Sequence, residues 1–225
     1  MIQTRHTLPG DIERTSMRII ESELAARHIS LPPEASAVIR RVIHTTADFD
    51  YAENLRFTPG AVQAGVSALT AGAPVITDTN MALAGISKPS LAKLGGTAHC
   101  FMADPQISRQ AREHGTTRAV AAMYHGAEHH PDGIFVVGNA PTALLALEEL
   151  LEGGLRPSLI IGVPVGFVNV EESKVALWDS CTRHSVPAIV SFGRKGGSNV
   201  AAAICNALLY TAAGTLDPTD RGWQG

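Results

Sequence analysis

Positive charge is scarce in this 225-residue chain: 18 lysines and arginines face 21 acidic residues, for a formal net charge of −3. Nucleic acid is therefore not expected as a partner, because neutralising phosphates takes a basic surface. A small anionic ligand must instead be held by local arginines and backbone amides, without a long-range field. Aromatic residues make up only 5% of the chain, against 45% hydrophobic and 17% charged residues. That balance describes an aliphatic, globular chain and excludes intrinsic disorder. Cysteine is rare. Cys100, Cys181 and Cys205 are odd in number, far apart and without CxxC spacing. They read as buried thiols of a reducing compartment, which rules out a disulfide framework. No apolar run approaches membrane-spanning length, and "MIQTRHTLPGDIERTS" has no signal-peptide core. The expectation is a soluble, cytoplasmic protein with no membrane partner.

What is present has a clear order. In "DIERTSMRIIESELAAR", Ile12, Ile19, Ile20 and Leu24 share one helical stripe, with Asp11 placed to cap it. In "LPPEASAVIRRVIH", Ala35, Val38, Ile39, Val42 and Ile43 follow the core-facing helix template. "TPGAVQAGVSALTAG" has a proline suited to a first turn and ends at Gly72, a residue typical just past a helix. A unit then repeats: a short β-branched run, a turn of small residues, and a helical stretch. "APVITDTN", "GIFVVGNAPT", "SLIIGVPVGFVNV" and "PAIVSFGRKGGS" each lead into such a stretch. The runs lack polar alternation, so the strands should be buried on both faces. The pattern predicts an α/β fold over residues 1–225: a single doubly wound domain whose mostly parallel sheet is covered by helices on both faces.

In such folds ligands bind beyond the carboxyl ends of the strands, here at "TDTNM", "GNAPT", "GVPVGF" and "GRKGGS". Small residues in any one turn serve tight geometry; four at equivalent positions favour a crevice. "GRKGGS" is neither a Walker loop nor GxGxxG, so a nucleotide site has weak support, and Arg194 and Lys195 read equally as solvated turn charges. His125 and His129 are four apart, with Glu128 between them and His130 adjacent. HExxH spacing is absent and Gly126 weakens the helix, so the cluster reads as a solvated patch rather than a zinc site. No GxSxG elbow occurs.

His44 remains. It lies off the apolar stripe of its helix, roughly opposite Ala35, which argues against a core histidine. At a helix C-terminus it has two readings. It can interact with the helix dipole as a cation. With Asp48 or Asp50 close by, the same setting would favour the imidazolium and suit a general acid. Local physics alone favours the first.

The segments "HTTADFDYAENLRFTPGAV", "PVITDTNMALAGI", "TTRAVAAM", "VVGNAPTAL", "GVPVGFVNVEESK" and "GRKGGSNVAAAICNAL", in this order, resemble the precorrin-8X methylmutase family, including its cobalt-precorrin-8 branch. The resemblance runs nearly end to end; Leu145 and Leu147 stand where the family often has an aromatic. It implies an isomerase of cobalamin biosynthesis that moves a methyl group from C-11 to C-12 of a corrinoid. The product would be hydrogenobyrinic acid, or cobyrinic acid when cobalt is present. It implies no cofactor and no protein-bound metal, so any cobalt belongs to the substrate. The family's catalytic histidine falls on His44, a proton donor to a ring nitrogen, and a basic position near the substrate falls on Arg118. Arg14, Ser16, Lys174, Arg194 and Ser198 are candidate carboxylate contacts, and Thr117, Asp78, Asn139, Gly166 and Gly197 complete the expected substrate site. A homodimer with the active site near the subunit interface is implied as well. The rival readings are a non-catalytic corrinoid carrier and a phosphate- or nucleotide-binding α/β enzyme.

Overall fold

The computed structural model describes residues 8–222. The chain opens with helices α1 (Pro9–Ala26), α2 (Ser36–Thr46) and α3 (Tyr51–Asn54), then strand β1 (Leu55–Phe57) and helix α4 (Ala61–Thr70). There follow β2 (Val75–Thr77), α5 (Asn80–Gly85), α6 (Lys88–Lys93), β3 (Ala98–His99), α7 (Pro105–Glu113) and α8 (Arg118–His129). The last part alternates regularly: β4 (Ile134–Val137), α9 (Pro141–Glu152), β5 (Leu159–Gly162), α10 (Val170–Arg183), β6 (Ala188–Ser191) and α11 (Ser198–Ala212).

The strands form one six-stranded sheet in the order β1-β6-β5-β4-β2-β3, parallel except for β1, which pairs antiparallel with β6. Alternate residues of the buried strands feed two separate cores. Val75, Ile134, Val136, Leu159, Ile161 and Ile189 belong to one core with residues of α1, α2, α4, α5, α6 and α11. Ile76, Phe135, Val137, Ile160, Ala188 and Val190 face α7, α8, α9 and α10. This two-sided burial is the reason β4, β5 and β6 read as unbroken apolar runs. Each fully buried aliphatic side chain contributes roughly 1.5–3 kcal/mol relative to exposure. The expected doubly wound architecture is therefore observed.

Two local expectations need correction. Asp11 does not cap α1: Pro9 takes the first turn and Leu8 the cap position, and Asp11 sits inside the helix, paired with Arg14 at 2.6 Å. Nor is the α1 stripe wholly buried. Ile20 and Leu24 enter the core, whereas Ile12 and Ile19 are 48% and 53% exposed. Helix α1 packs on α2 rather than on the sheet, so only part of its apolar face is covered. The α2 stripe, by contrast, behaves as expected, with Val38, Ile39, Val42 and Ile43 at most 1% exposed. Among the cysteines, Cys181 and Cys205 are buried, and burial pushes both thiols up to about 12; Cys100 is half-buried.

Candidate active site

Sheet order reverses between β2 and β4, and the chain after these two strands is drawn together by one side chain. Asp78, 0% exposed, accepts hydrogen bonds from the backbone N–H groups of Gly138, Asn139 and Ala140 at 2.8–2.9 Å. Burial raises its carboxyl above the usual range, against the opposing pull of those three donors. The next turn, after β6, is tied in by Ser198, whose Oγ lies 2.8 Å from Thr79 Oγ1. Gly197 and Gly166 link the turns after β5 and β6 through Gly197 N–H to Val163 O at 2.8 Å and Gly166 N–H to Arg194 O at 3.2 Å. The four strand-to-helix turns thus form one continuous rim at the carboxyl edge of the sheet, as ligand-binding α/β folds require.

Lys174 and Lys195 act on this rim in different ways. Lys174 is 0% exposed, its Nζ donating to Gly193 O at 2.7 Å and Lys195 O at 2.9 Å. Burial pulls its ammonium down to about 8. Lys174 and Asp78, expected as substrate contacts, are instead closed off and committed to holding loops in place. Lys195, expected as a solvated turn charge, clamps Asp48 and Asp50 at 2.6 Å each. Those two ion pairs hold its own ammonium well above the usual range. The glycine beside it has a packing explanation: a Cβ on Gly196 would meet Val163 O at 2.2 Å. The loop thus spends its lysine on aspartates and its glycine on a close backbone approach, which removes the support for a phosphate cradle.

The clamp joins the rim to the end of α2, where the chain turns through Ala47 at φ 54°. One turn earlier, half-buried His44 lines a groove of about 530 Å³ between α1 and α2. Its apolar wall includes Ile12, Ile19, Ile43 and Phe49, and Thr15, Ser16 and Arg27 add polar groups. The exposed isoleucines of α1 are therefore this wall. Ser16 Oγ lies 2.7 Å from His44 Nδ1, while Nε2 has no hydrogen-bond partner among the described residues. Asp48 and Asp50, whose approach would have favoured the imidazolium, are held by Lys195 instead. The imidazole is accordingly pulled below its ordinary range, first by burial and then by the Arg41 and Arg221 charges, with Glu13 opposing them.

Glu13 sits behind the groove as the centre of a buried ion triad, 2.6 Å from both Arg41 and Arg221. Burial pushes its carboxyl up, but the two guanidinium groups outweigh burial and hold it below the usual range. The other expected binding residues are spread along the same molecular edge. Thr117 caps α8 and approaches Thr142 Oγ1 of α9 at 3.2 Å. Exposed Arg118 makes a long contact, 3.4 Å, with Met102 O. Arg194 pairs with Glu171 at 2.8 Å and lies over the ring of Phe167, which is 84% exposed. Asn139 is exposed with its side chain uncommitted among the described residues. Arg14 lies in a separate groove on the other side of α1, paired with Asp11 and Asp217. The single chain therefore brings Ser16 to His44 but leaves Arg118 and Arg14 apart from it. Sequence reasoning missed the Glu13 triad and the Lys195 clamp, whose members are separated by up to 208 residues and follow no periodic pattern.

Residues 11–211 match the family described as Precorrin-8X methylmutase. The cobalt-precorrin-8 methylmutase of Salmonella typhimurium is 46% identical over 206 residues, covering 90% of this chain and 95% of the relative. The precorrin-8X methylmutase of Pseudomonas aeruginosa is 39% identical over 198 residues, covering 88% and 93%. A crystal structure of precorrin-8X methylmutase from Thermus thermophilus superposes with a TM-score of 0.81 at 40% identity, covering 90% of this chain and 98% of that one. Fold, site edge and likeness over nearly the whole chain lead to one conclusion: this chain belongs to the precorrin-8X methylmutase family.

Proposed function

We propose that the protein moves a methyl group from C-11 to C-12 of precorrin-8X or cobalt-precorrin-8, giving hydrogenobyrinic or cobyrinic acid, with His44 as the proton donor. As a member of its family it is an isomerase, an intramolecular methyl-transferring enzyme of cobalamin biosynthesis. The observation that carries the assignment of His44 is its setting: a half-buried imidazole in an apolar-walled groove, anchored by Ser16 at one nitrogen only.

That anchoring suits proton donation. In the imidazolium both ring nitrogens carry hydrogen, so Nδ1–H donates to Ser16 Oγ and Nε2–H is offered to the groove. Transfer of the Nε2 proton to a ring nitrogen leaves the neutral Nδ1–H tautomer, still bonded to Ser16. The acid therefore loses its proton without moving. Protonation draws electron density from the ring and eases the methyl shift, after which the proton returns and no atom is gained or lost. This chemistry requires no resident cofactor or metal, only one acid and firm positioning.

The corrinoid's carboxylates suit the exposed donors of the rim: Arg118, Arg194, Asn139, Thr117 and the N–H groups of the turns. A homodimer is the arrangement under which Arg118 and Arg14, apart from His44 in one chain, reach a shared substrate. We place the enzyme in the cytoplasm as a single domain spanning 1–225; no helix among the described residues is long and apolar enough to cross a membrane.

The decisive experiment supplies purified protein with each substrate form and follows the visible spectrum, with NMR of the migrating methyl carbon. Conversion by the parent and none by His44→Asn is expected. Tight binding without any methyl shift by the parent would make the protein a carrier.

A further inference from the structure

On the sheet face opposite α2 and His44, the C-terminal half of α8 gathers a second chemical group. His125, Glu128 and His129 stand at positions i, i+3 and i+4, and one donor atom from each lies within 4.8 Å of the other two. The two imidazole rings are 4.1 Å apart between centroids. Helix α8 runs unbroken through Gly126, which is there for packing: a Cβ at that position would meet Ile76 Cγ2 at 2.9 Å. The glycine that weakens the helix in the sequence therefore presses it against the sheet, and the histidine spacing survives on its outer side.

The donors are also oriented. His129 Nδ1 lies 2.9 Å from the backbone carbonyl of His125. A carbonyl can only accept, so Nδ1 carries the hydrogen and Nε2 keeps its lone pair. Such a contact on the far nitrogen is what orients metal-bound histidines generally. Phe101 meets the His125 ring edge-on at 4.6 Å between centroids and limits that ring's freedom as well.

We propose that His125, Glu128 and His129 bind one divalent cation of the zinc class, at a site separate from the reacting groove. Two imidazoles and one carboxylate suit Zn²⁺, Co²⁺ or Ni²⁺ rather than Mg²⁺ or Ca²⁺, which prefer oxygen-only shells. Donors about 2.0–2.2 Å from a metal stand at most about 4.4 Å apart, so small rotamer adjustments close this set. Three protein ligands on one helix leave further positions to water. The cation would staple the last turn of α8 and stabilise the folded chain without touching the chemistry at His44.

The test uses tag-free protein, stripped with a chelator and then titrated with Zn²⁺ by calorimetry, with Co²⁺ as a coloured substitute. One equivalent is expected to bind saturably and raise the melting temperature. His125→Ala and His129→Ala should each weaken binding at least about tenfold, while His114→Ala, in the same groove but outside the donor set, should leave it unchanged. Circular dichroism confirms that each variant is folded. Absence of one-equivalent binding overturns the proposal. So does binding that survives in the His125→Ala/His129→Ala double variant, or that disappears only when His99 and His130 are replaced.

Discussion

His44→Asn separates a proton donor from a helix-end residue, because the two roles leave losses of different size in different measurements. The structural loss is small. The substitution removes a half-buried ring and its contact with Ser16, and one such hydrogen bond contributes about 0.5–1.5 kcal/mol. A cation at a helix C-terminus would add about 0.3–1 kcal/mol. That contribution shrinks here, because burial and the nearby Arg41 and Arg221 charges favour the neutral ring. For a chain of this size about 1 kcal/mol moves the melting temperature by roughly 2–4 °C. His44→Asn should therefore melt within a few degrees of the parent and bind the corrinoid about as well.

The chemical loss is much larger. General acid catalysis contributes roughly 10²–10⁴-fold, or about 2.7–5.5 kcal/mol of barrier. Single-turnover spectroscopy with saturating enzyme reads that loss directly, free of product release. The pH profile adds an independent check. With the free-enzyme imidazole pulled below its ordinary range by burial and the nearby guanidinium charges, kcat/KM should fall as pH rises through a point below that range. Substrate carboxylates brought near Arg41 and Arg221 would offset those charges and favour the imidazolium. The single-turnover rate should then fall at a higher pH than kcat/KM. A variant rate close to the parent's, with an unchanged pH profile, would refute the reasoning and leave His44 a helix-end residue.

Other perturbations probe the surroundings. Ser16→Ala removes the anchor of the Nδ1 hydrogen and should slow single turnover about two- to tenfold, the equivalent of one neutral hydrogen bond; an unchanged rate would detach Ser16 from the acid. Arg118→Ala should weaken substrate and product binding together by about ten- to hundredfold, as loss of a charge-assisted hydrogen bond does, and equilibrium titration decides. Glu13→Gln leaves two guanidinium groups without their buried counter-ion, a change that typically costs about 3–5 kcal/mol. Since Glu13 has a depressed carboxyl, its contribution is present above the unfolded value of about 4.5 and lost as pH falls through the folded one. Melts of parent and variant should converge in acid, and a constant gap would refute the ionic reading. Asp78→Ala strands the backbone N–H groups of Gly138, Asn139 and Ala140 and should cost about 3 kcal/mol or more in urea unfolding.

Much of the fold was legible because burial leaves a periodic trace. Strands β4, β5 and β6 are buried along their whole length, so every position but Ser191, at the end of β6, is apolar or glycine. The α2 stripe repeats because one face meets the core. The antiparallel edge strand β1 escaped the reading for the same physical reason: it is three residues long, with one buried and one exposed position, too short for any period to show. Ile12 and Ile19 misled in the opposite direction. Their spacing is that of core residues, yet they are exposed as the wall of the groove beside His44. Apolarity in a sequence reports avoidance of water, and a ligand slot satisfies that as well as a core does.

The polar part of the site follows a different logic. Lys195 is separated by 147 residues from Asp48, and Arg221 by 208 from Glu13. No local pattern relates such partners, because their meeting is set by strand order: β1 pairs with β6 at one edge and brings the chain on either side of each together. Lys174 shows the consequence. As a letter it offered a cation to an anionic substrate; in the fold it faces two backbone carbonyls and no solvent. A charged residue type states which partner it can satisfy, and only topology decides whether that partner is a ligand or the protein's own backbone. The helical angle of His44 kept it off the core face without the fold, and the family resemblance, not the angle, marked it as the acid. Its chemistry could not be settled that way, since the groups that tune it arrive from α1, from its own helix and from the far end of the chain.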